Sequence, residues 1–176
     1  IDADAPLTAA TAADIVVLAI KPQHIGEVAG ELAGRLTHQL VITVAAGIRT
    51  QDLSRWLGGH RRIVRVMPNT PALVLAGISG LYAMPEVSSA EKQRAADLMM
   101  SVGAIAWLPR EEDLDAVTAV SGSGPAYVFF FIEALQAAAQ AQGLDEATAR
   151  ALTLHTFSGA AKLAMVTGRP VKILYT

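Results

Sequence analysis

The hydrophobic pattern of this chain changes period near residues 109–112, and that change constrains the fold more than any other feature. Before it, short β-branched runs alternate with helix-like stretches, the pattern of βαβ units around a parallel sheet. Beyond it, the remaining residues read as helix throughout. The sequence therefore predicts an α/β domain over residues 1–110 and an all-α domain over residues 111–176.

Periodicity and turn signals place the individual elements. Strands are predicted over residues 15–20, 40–45, 63–67, 78–83 and 104–108. Helices are predicted over residues 23–34, 50–57 and 89–102, and in the second domain up to residue 120, over 123–142 and over 145–167. Ser88 and Glu91 have the spacing of a capping box, Asp145 is expected to cap the last helix, and Gly168 with Pro170 forms its stop signal.

Residues 115–127 combine small, hydroxyl-bearing and glycine residues at the start of an almost wholly apolar helix. Ser123 is expected to cap that helix, and Pro125 fits its first turn. Gly122 and Gly124 let another backbone or a ligand approach closely. Composition alone leaves two interpretations open, a helix junction held by its caps and a ligand-binding turn.

The acidic residues just before this run suggest helix-start roles. Glu111 and Glu112 are expected to favour the first helical turn through its dipole, and Asp115 is interpreted as a structural acid.

Polar or small residues follow three of the predicted strands. Lys21 and Pro22 follow the first, Ala46 and Gly47 follow the second, and residues 68–70 follow the third. Each group alone reads as a solvated strand end or a turn. Because ligands of open α/β sheets bind at the carboxyl ends of the strands, the three groups together favour a cofactor groove.

Several spaced motifs resemble the pyrroline-5-carboxylate reductases, which catalyse the last step of proline biosynthesis. They are RVMPNTPA at 65–72, DAVTAVSGSGPAY at 115–127, AIKP at 19–22, AAG at 45–47 and GLYA at 80–83. The motifs occur in the family's order and cover nearly all of the chain. The resemblance implies a Rossmann-like doubly wound sheet whose first βαβ unit is missing, followed by an all-α dimerisation domain.

The resemblance also implies an activity and a site. The enzyme would pass a hydride from NADPH or NADH to the cyclic imine pyrroline-5-carboxylate, giving L-proline. Thr118 would face the substrate, where its hydroxyl would bond the ring nitrogen or a water; otherwise it is a helix threonine bonded to its own turn. The residues implied in cofactor binding are Ala19, Lys21, Pro22, Ala45, Ala46, Gly47, Met67, Pro68, Asn69 and Thr70.

Two loops of the family are expected to lie outside these residues. One is the glycine-rich loop that binds the dinucleotide pyrophosphate. The other, which binds the substrate carboxylate, would follow the position of Pro170. We therefore interpret the chain as truncated at both ends, and we expect the 176 residues alone to be nearly inactive.

Two other interpretations stay open. One is another NADP-dependent imine or hydroxyacid reductase, which would be expected to use a catalytic lysine in its helical domain, and Lys162 is the only lysine in the predicted helices of that domain. The other is a non-catalytic oligomerisation module that keeps the fold.

Composition indicates which kind of binding partner the chain has. Hydrophobic residues make up 52% of the chain and charged residues 17%, which implies apolar surface covered by a partner. The consecutive Phe129, Phe130, Phe131 and Ile132 point in every direction around a helix, so some must meet a second subunit. The resemblance implies a homodimer, assembled further into a larger ring.

Charge and residue usage exclude other classes. A net charge of -2 gives no positive electrostatic field that would attract the phosphates of a nucleic acid. No apolar stretch is long enough to span a membrane. The four histidines lack ligand spacing, so no metal site is predicted. The absence of cysteine fits a cytoplasmic protein.

Overall fold

The computed structural model describes residues 5–168, 170 and 172. They form two compact units, Ile1–Pro125 and Ala126–Thr176. The strands are β1 (Ile15–Leu18), β2 (Leu40–Thr43), β3 (Ile63–Met67), β4 (Gly77–Ala83) and β5 (Gly103–Trp107). The helices are α1 (Ala5–Ala12), α2 (Pro22–Leu32), α3 (Thr50–Trp56), α4 (Ser89–Met100), α5 (Asp113–Val117), α6 (Gly124–Ala141) and α7 (Glu146–Thr167).

The strands form one five-stranded sheet in the order β1-β2-β3-β4-β5. Neighbouring strands are parallel except β3 and β4, which pair antiparallel with Val66 opposite Leu81. The predicted parallel pattern is interrupted at this one pair of strands. The connection from Met67 to Gly77 contains only a 3-10 turn, which is too short for the crossover that parallel neighbours need.

The core lies around the centre of this sheet. Every residue of β2 is buried, as expected of a strand covered on both faces. Ile25 of α2, Leu53 of α3 and Ala95 of α4 are fully buried and belong to the same hydrophobic cluster as β2 and β3. The α/β alternation predicted from the sequence therefore builds the first unit.

Helix ends follow the predicted capping signals where the cap is local. Ser88 and Glu91 form a capping box at the start of α4, and Asp145 accepts a hydrogen bond from the Thr148 amide at the start of α7. Gly168 ends α7 in the left-handed conformation. Helix α1 is missing from the elements predicted above, because its alanine-rich stretch has no amphipathic pattern.

The junction between α5 and α6 differs from the expected turn. Residues Thr118–Gly122 form a single π-helical turn, in which the Ser123 amide donates to the Thr118 carbonyl at 2.9 Å. Ser123 itself is in the right-handed helical conformation. It therefore does not cap α6, because the chain never leaves the helical region there.

The second unit consists of α6 and α7. No residue of α6 is buried, and in α7 only Ala149 and Thr153 are. Phe129, Phe130 and Phe131 are each more than 60% exposed in the single chain. Within the part of the chain that the structure describes, no helix is both long enough and apolar enough to cross a membrane.

Candidate functional site

The three predicted cofactor segments lie at one edge of the sheet. β1, β2 and β3 are adjacent and mutually parallel, with Leu18 paired to Thr43 and Thr43 paired to Arg65. The segments that follow these strands therefore leave the sheet on the same side. The structure brings together at this edge what the sequence analysis placed at three separate strand ends.

Lys21 stands between β1 and α2. It occupies the position before the first helical residue, Pro22, and its carbonyl accepts a hydrogen bond from the His24 amide at 3.0 Å. Ala19, Lys21 and Pro22 are all exposed. Among residues 5–168 the Lys21 side chain has no hydrogen-bond or ion-pair partner, so its ammonium group is solvated.

The segment after β2 is a tight turn. Ala45 is buried, and its amide is 3.3 Å from the Thr43 hydroxyl oxygen. Ala46 and Gly47 are exposed, and Gly47 has a φ of 78°, in the region that favours glycine. Of the three predicted residues, only Ala46 and Gly47 are therefore solvent-exposed at the sheet edge.

The segment after β3 is held by Asn69. Its side-chain oxygen accepts a hydrogen bond from the Ile78 amide at 2.9 Å, and its carbonyl accepts one from the Ala72 amide at 3.1 Å. These bonds tie the 3-10 turn Thr70–Val74 to the start of β4. Asn69 thus shapes the wall of the edge, while Met67 and Pro68 are half-buried and Thr70 is exposed.

The segment that carries Thr118 packs closely on the sheet. A Cβ atom added to Gly80 of β4 would lie 2.9 Å from Val117 Cγ1, and one added to Gly122 would lie 3.1 Å from Met67 Cε. The added Gly122 atom would also lie 3.6 Å from Thr118 Cγ2. The two glycines therefore let α5 pack against β4 and let the π turn that begins at Thr118 pack against Met67 at the end of β3.

The half-buried Thr118 hydroxyl donates a hydrogen bond to the Leu114 carbonyl at 2.8 Å. Ser121 makes the equivalent bond to the Val117 carbonyl at 3.0 Å. The proton of the Thr118 hydroxyl is thus held by its own helix, as the structural interpretation of this residue expects. The oxygen keeps its lone pairs, so it can still accept a hydrogen bond from a ligand.

A buried charge network, which the sequence analysis missed, lies close to this segment. Glu111 Oε1 accepts from Arg65 at 3.0 Å and from the Thr50 amide at 2.7 Å, and Oε2 accepts from the Thr50 hydroxyl at 2.8 Å. The prediction that Glu111 serves the dipole of its own helix is wrong, because its carboxylate turns inward. An arginine inside an apolar strand was the available signal, since buried arginines need a carboxylate partner.

The neighbouring acids behave differently. Glu112 and Asp115 are largely exposed and approach Arg49 at 3.6 and 3.7 Å. Burial, aided by the negative charges of Glu111 and Glu112, raises the pKa of Tyr82. The residues that the structure describes contain no cluster of His, Asp or Glu able to hold a metal ion.

An apolar cavity of about 380 Å³ lies between the α5 segment and the strands β4 and β5. Its walls are β4, β5 and the helical residues from Asp113 to Ser121, and Thr118 is not among its lining. Lys162, considered above for the alternative reductase, is exposed on α7.

Comparison with known proteins defines the class of this fold. Residues 2–47 match the family model described as NADP oxidoreductase coenzyme F420-dependent. Residues 111–175 match the model described as pyrroline-5-carboxylate reductase dimerisation. The chain thus joins part of a nicotinamide-dependent oxidoreductase domain to a dimerisation domain, which confirms the Rossmann-like fold class.

Similar proteins narrow the class to one family. Pyrroline-5-carboxylate reductase of Pseudomonas aeruginosa is 49% identical over 154 residues, covering 87% of this chain and 56% of the relative. The solved enzyme from Coxiella burnetii superimposes with a TM-score of 0.91 at 44% identity, covering 97% of this chain and 64% of that one. The Plasmodium falciparum enzyme, solved with NADP bound, gives 0.88 at 35% identity, covering 96% of this chain and 64% of that one.

The chain belongs to the pyrroline-5-carboxylate reductase family. It spans 56% of the length of the Pseudomonas relative and 64% of each of the two solved chains.

Proposed function

We propose that the protein containing this chain reduces pyrroline-5-carboxylate to L-proline with NADPH or NADH. The observation that carries the proposal is the shared sheet edge, where three strand ends lie side by side and the last residue of β3, Met67, packs against the turn that follows Thr118. The names of the similar proteins support the substrate, and the NADP bound to the Plasmodium relative supports the cofactor.

The cofactor residues form the first part of this proposal. The exposed groups are the Lys21 side chain, the Pro22 helix start and the Ala46–Gly47 turn, with the Asn69 segment as a wall. These suit a dinucleotide, because they offer a cation, backbone amides and small residues that allow close approach. When bound there, the reduced nicotinamide supplies the hydride. Ala19, Ala45, Met67, Pro68 and Thr70 complete the proposed set.

Thr118 has the catalytic role in the proposal. Its proton is engaged by the Leu114 carbonyl, so the oxygen acts as an acceptor rather than a donor. The protonated imine carries an N–H, which can donate to that oxygen and keep the imine carbon oriented. The same contact remains when the ring nitrogen becomes an amine. Thr118 therefore orients the ring while the positive charge of the protonated imine disappears.

The second part of the proposal concerns assembly. Three consecutive phenylalanines of α6 are exposed, and at 100° per residue they cover a wide arc of the helix. A flat surface cannot bury all three, so we assign them to an interlocked homodimer. The match of residues 111–175 to a dimerisation model supports this. We propose separately that this homodimer assembles further into a larger ring. We also place the domain boundary at residues 110 and 111, and the protein in the cytoplasm.

A kinetic assay that follows the oxidation of NADPH or NADH tests both the proposed reaction and the proposed role of Thr118. The complete protein containing this chain should oxidise NADPH or NADH only when pyrroline-5-carboxylate is present, which absorbance detects. Thr118→Ala should lower kcat/KM by roughly 10- to 100-fold, and Thr118→Ser should be much milder.

Thr167→Ala is the matched control. Thr167 makes the same helical bond, to the Leu163 carbonyl at 2.9 Å, but lies exposed on α7. Its replacement should leave kcat/KM unchanged. A wild-type protein without turnover would refute the proposed reaction. A Thr118→Ala variant with normal kcat/KM and a lowered melting temperature would show a purely structural threonine.

A further inference from the structure

Glu111 has an environment that its neighbours lack. Its carboxylate accepts three hydrogen bonds of 2.7 to 3.0 Å from Thr50 and Arg65. Glu111 is 8% exposed, Arg65 6% and Thr50 2%. Both carboxylate oxygens accept hydrogen bonds, so the side chain is held in one orientation and its negative charge is compensated by Arg65.

The partners of Glu111 belong to segments of the candidate site. Thr50 is the first residue of α3, which directly follows the turn that contains Gly47. Arg65 lies in β3, two residues before Met67. One carboxylate thereby joins the segment before α5 to two of the three loops at the sheet edge.

A continuous set of bonds leads from this carboxylate to Thr118. The Glu111 carbonyl accepts from the Leu114 amide at 3.1 Å, and the Leu114 carbonyl accepts from the Thr118 hydroxyl at 2.8 Å. The Leu114 side chain is fully buried. A shift of Glu111 would therefore move the helical turn on which the Thr118 hydroxyl rests.

Stability alone does not account for this arrangement. Replacing a whole buried ion pair by apolar residues is often neutral or stabilising, so such a pair is weak evidence of a stabilising role. The exposed pairs of Arg49 with Glu112 and Asp115, at 3.6 and 3.7 Å, are too long and too solvated to fix a helix. The Glu111 network is the one with the geometry to hold α5.

We infer that Glu111 is a positioning residue, which fixes the Thr118 turn against the loops after β2 and β3. This inference rests on the proposed function. Catalytic geometry is sensitive to displacements of about 1 Å, so loss of this anchor lowers the turnover number, while Lys21 and the Asn69 segment, which Glu111 does not bond, still bind the cofactor. Glu111 acts through Thr118 and touches no substrate.

Glu111→Asp tests the inference in the complete protein, because it keeps the charge beside Arg65 and withdraws the carboxylate by one methylene. We expect kcat to fall roughly tenfold or more, with KM for NADPH within about twofold of wild type. Glu112→Asp is the control, with the same change one residue along the chain on an exposed side chain. It should leave both constants unchanged.

Introducing Glu111→Asp into the Thr118→Ala variant distinguishes a positioning role of Glu111 from a general disturbance of the fold. If Glu111 acts through Thr118, Glu111→Asp should cost little further kcat in a protein that already lacks that hydroxyl. Equal fold losses in both backgrounds would overturn the inference, as would a kcat for Glu111→Asp equal to that of Glu112→Asp. Normal kcat in Thr118→Ala alone would overturn both roles, and absence of wild-type turnover would overturn the proposed reaction with them.

A second pair of variants decides the matter if Glu111→Asp does not fold. Thr50→Val removes one donor to Glu111 at nearly constant volume, and Thr50→Ser restores it. A loss of kcat in Thr50→Val that Thr50→Ser recovers supports the anchor. Normal kcat in Thr50→Val would then count against it.

Discussion

Gly80→Ala is the substitution whose consequence follows most directly from the packing of α5 on the sheet. The new methyl carbon would lie 2.9 and 3.0 Å from the two γ-carbons of Val117 and 3.2 Å from Leu114 Cδ2. Val117 is β-branched and has one preferred rotamer in a helix, and Leu114 is fully buried. Neither side chain can turn aside, so α5 itself must move away from β4.

The size of the effect can be worked from these distances. Ordinary contacts of a Cβ atom lie at 3.4–4 Å, so α5 must retreat by about half an ångström or more. Overpacking of this kind costs about 1–3 kcal/mol, and the lower backbone entropy of alanine offsets about 0.5–1 kcal/mol of it. Each kcal/mol of lost stability lowers the melting temperature of a protein of this size by about 2–4 °C, so the melting temperature should fall by a few degrees.

Thermal unfolding of Gly80→Ala beside Gly26→Ala provides the measurement. Gly26 lies within α2, and an added Cβ atom would meet no atom within 4 Å. Gly26→Ala should therefore raise the melting temperature slightly, by the helix propensity of alanine. Because Thr118 follows Val117, Gly80→Ala should also lower kcat. If Gly80→Ala matched Gly26→Ala in both stability and kcat, the close packing of α5 on β4 would be refuted.

Three further predictions concern other parts of the chain. Lys21→Met should raise KM for NADPH with little change in kcat, since the side chain offers charge at the sheet edge but no proton transfer; an unchanged KM would count against its placement. Replacing Phe129, Phe130 or Phe131 singly by Asp should reduce the mass measured by light scattering to that of one subunit, or prevent folding, and a monomeric wild type would contradict the dimer. Burial lowers the pKa of His60 below 6.5, so the fold prefers the neutral ring; stability should be full above pH 6.5 and decline as pH falls below it. Melting temperatures at pH 7.5 and 5.5 should therefore differ less in His60→Gln than in wild type, and an identical difference would refute the assignment.

Local patterns were sufficient to predict most elements of the first unit. Residues 63–67 were predicted as a strand, and β3 has those bounds, because a short β-branched run between turn signals has few alternatives. The capping box at Ser88 was equally predictable, since all its atoms lie within one helical turn. The meeting of the three strand ends followed from the rule for parallel sheets, without any knowledge of side-chain contacts.

The antiparallel pairing of β4 and the π turn depend on more than local pattern. The direction of β4 in the sheet is set by the length and path of the connection after Met67. The hydrophobic pattern of a strand is the same whether the strand pairs parallel or antiparallel, so it does not reveal this direction. Residues 118–122 contain the small and hydroxyl-bearing residues of a cap, yet here those hydroxyls bond back to the preceding turn. The packing of α5 on β4 and of the π turn on Met67 involves residues far apart in the chain, so local pattern does not reveal it.

Glu111 and Thr118 illustrate this limit in opposite directions. From the sequence alone, a bond of Thr118 to its own turn is the alternative to a catalytic role. In the structure the two are compatible, because a hydroxyl that donates its proton to its own helix can still accept a hydrogen bond from a ligand. For Glu111, the adjacent Glu112 made both acids look like helix-start residues, although only one of them faces Arg65. What distinguishes them is a strand 46 residues away in the chain, so no local pattern could have separated them.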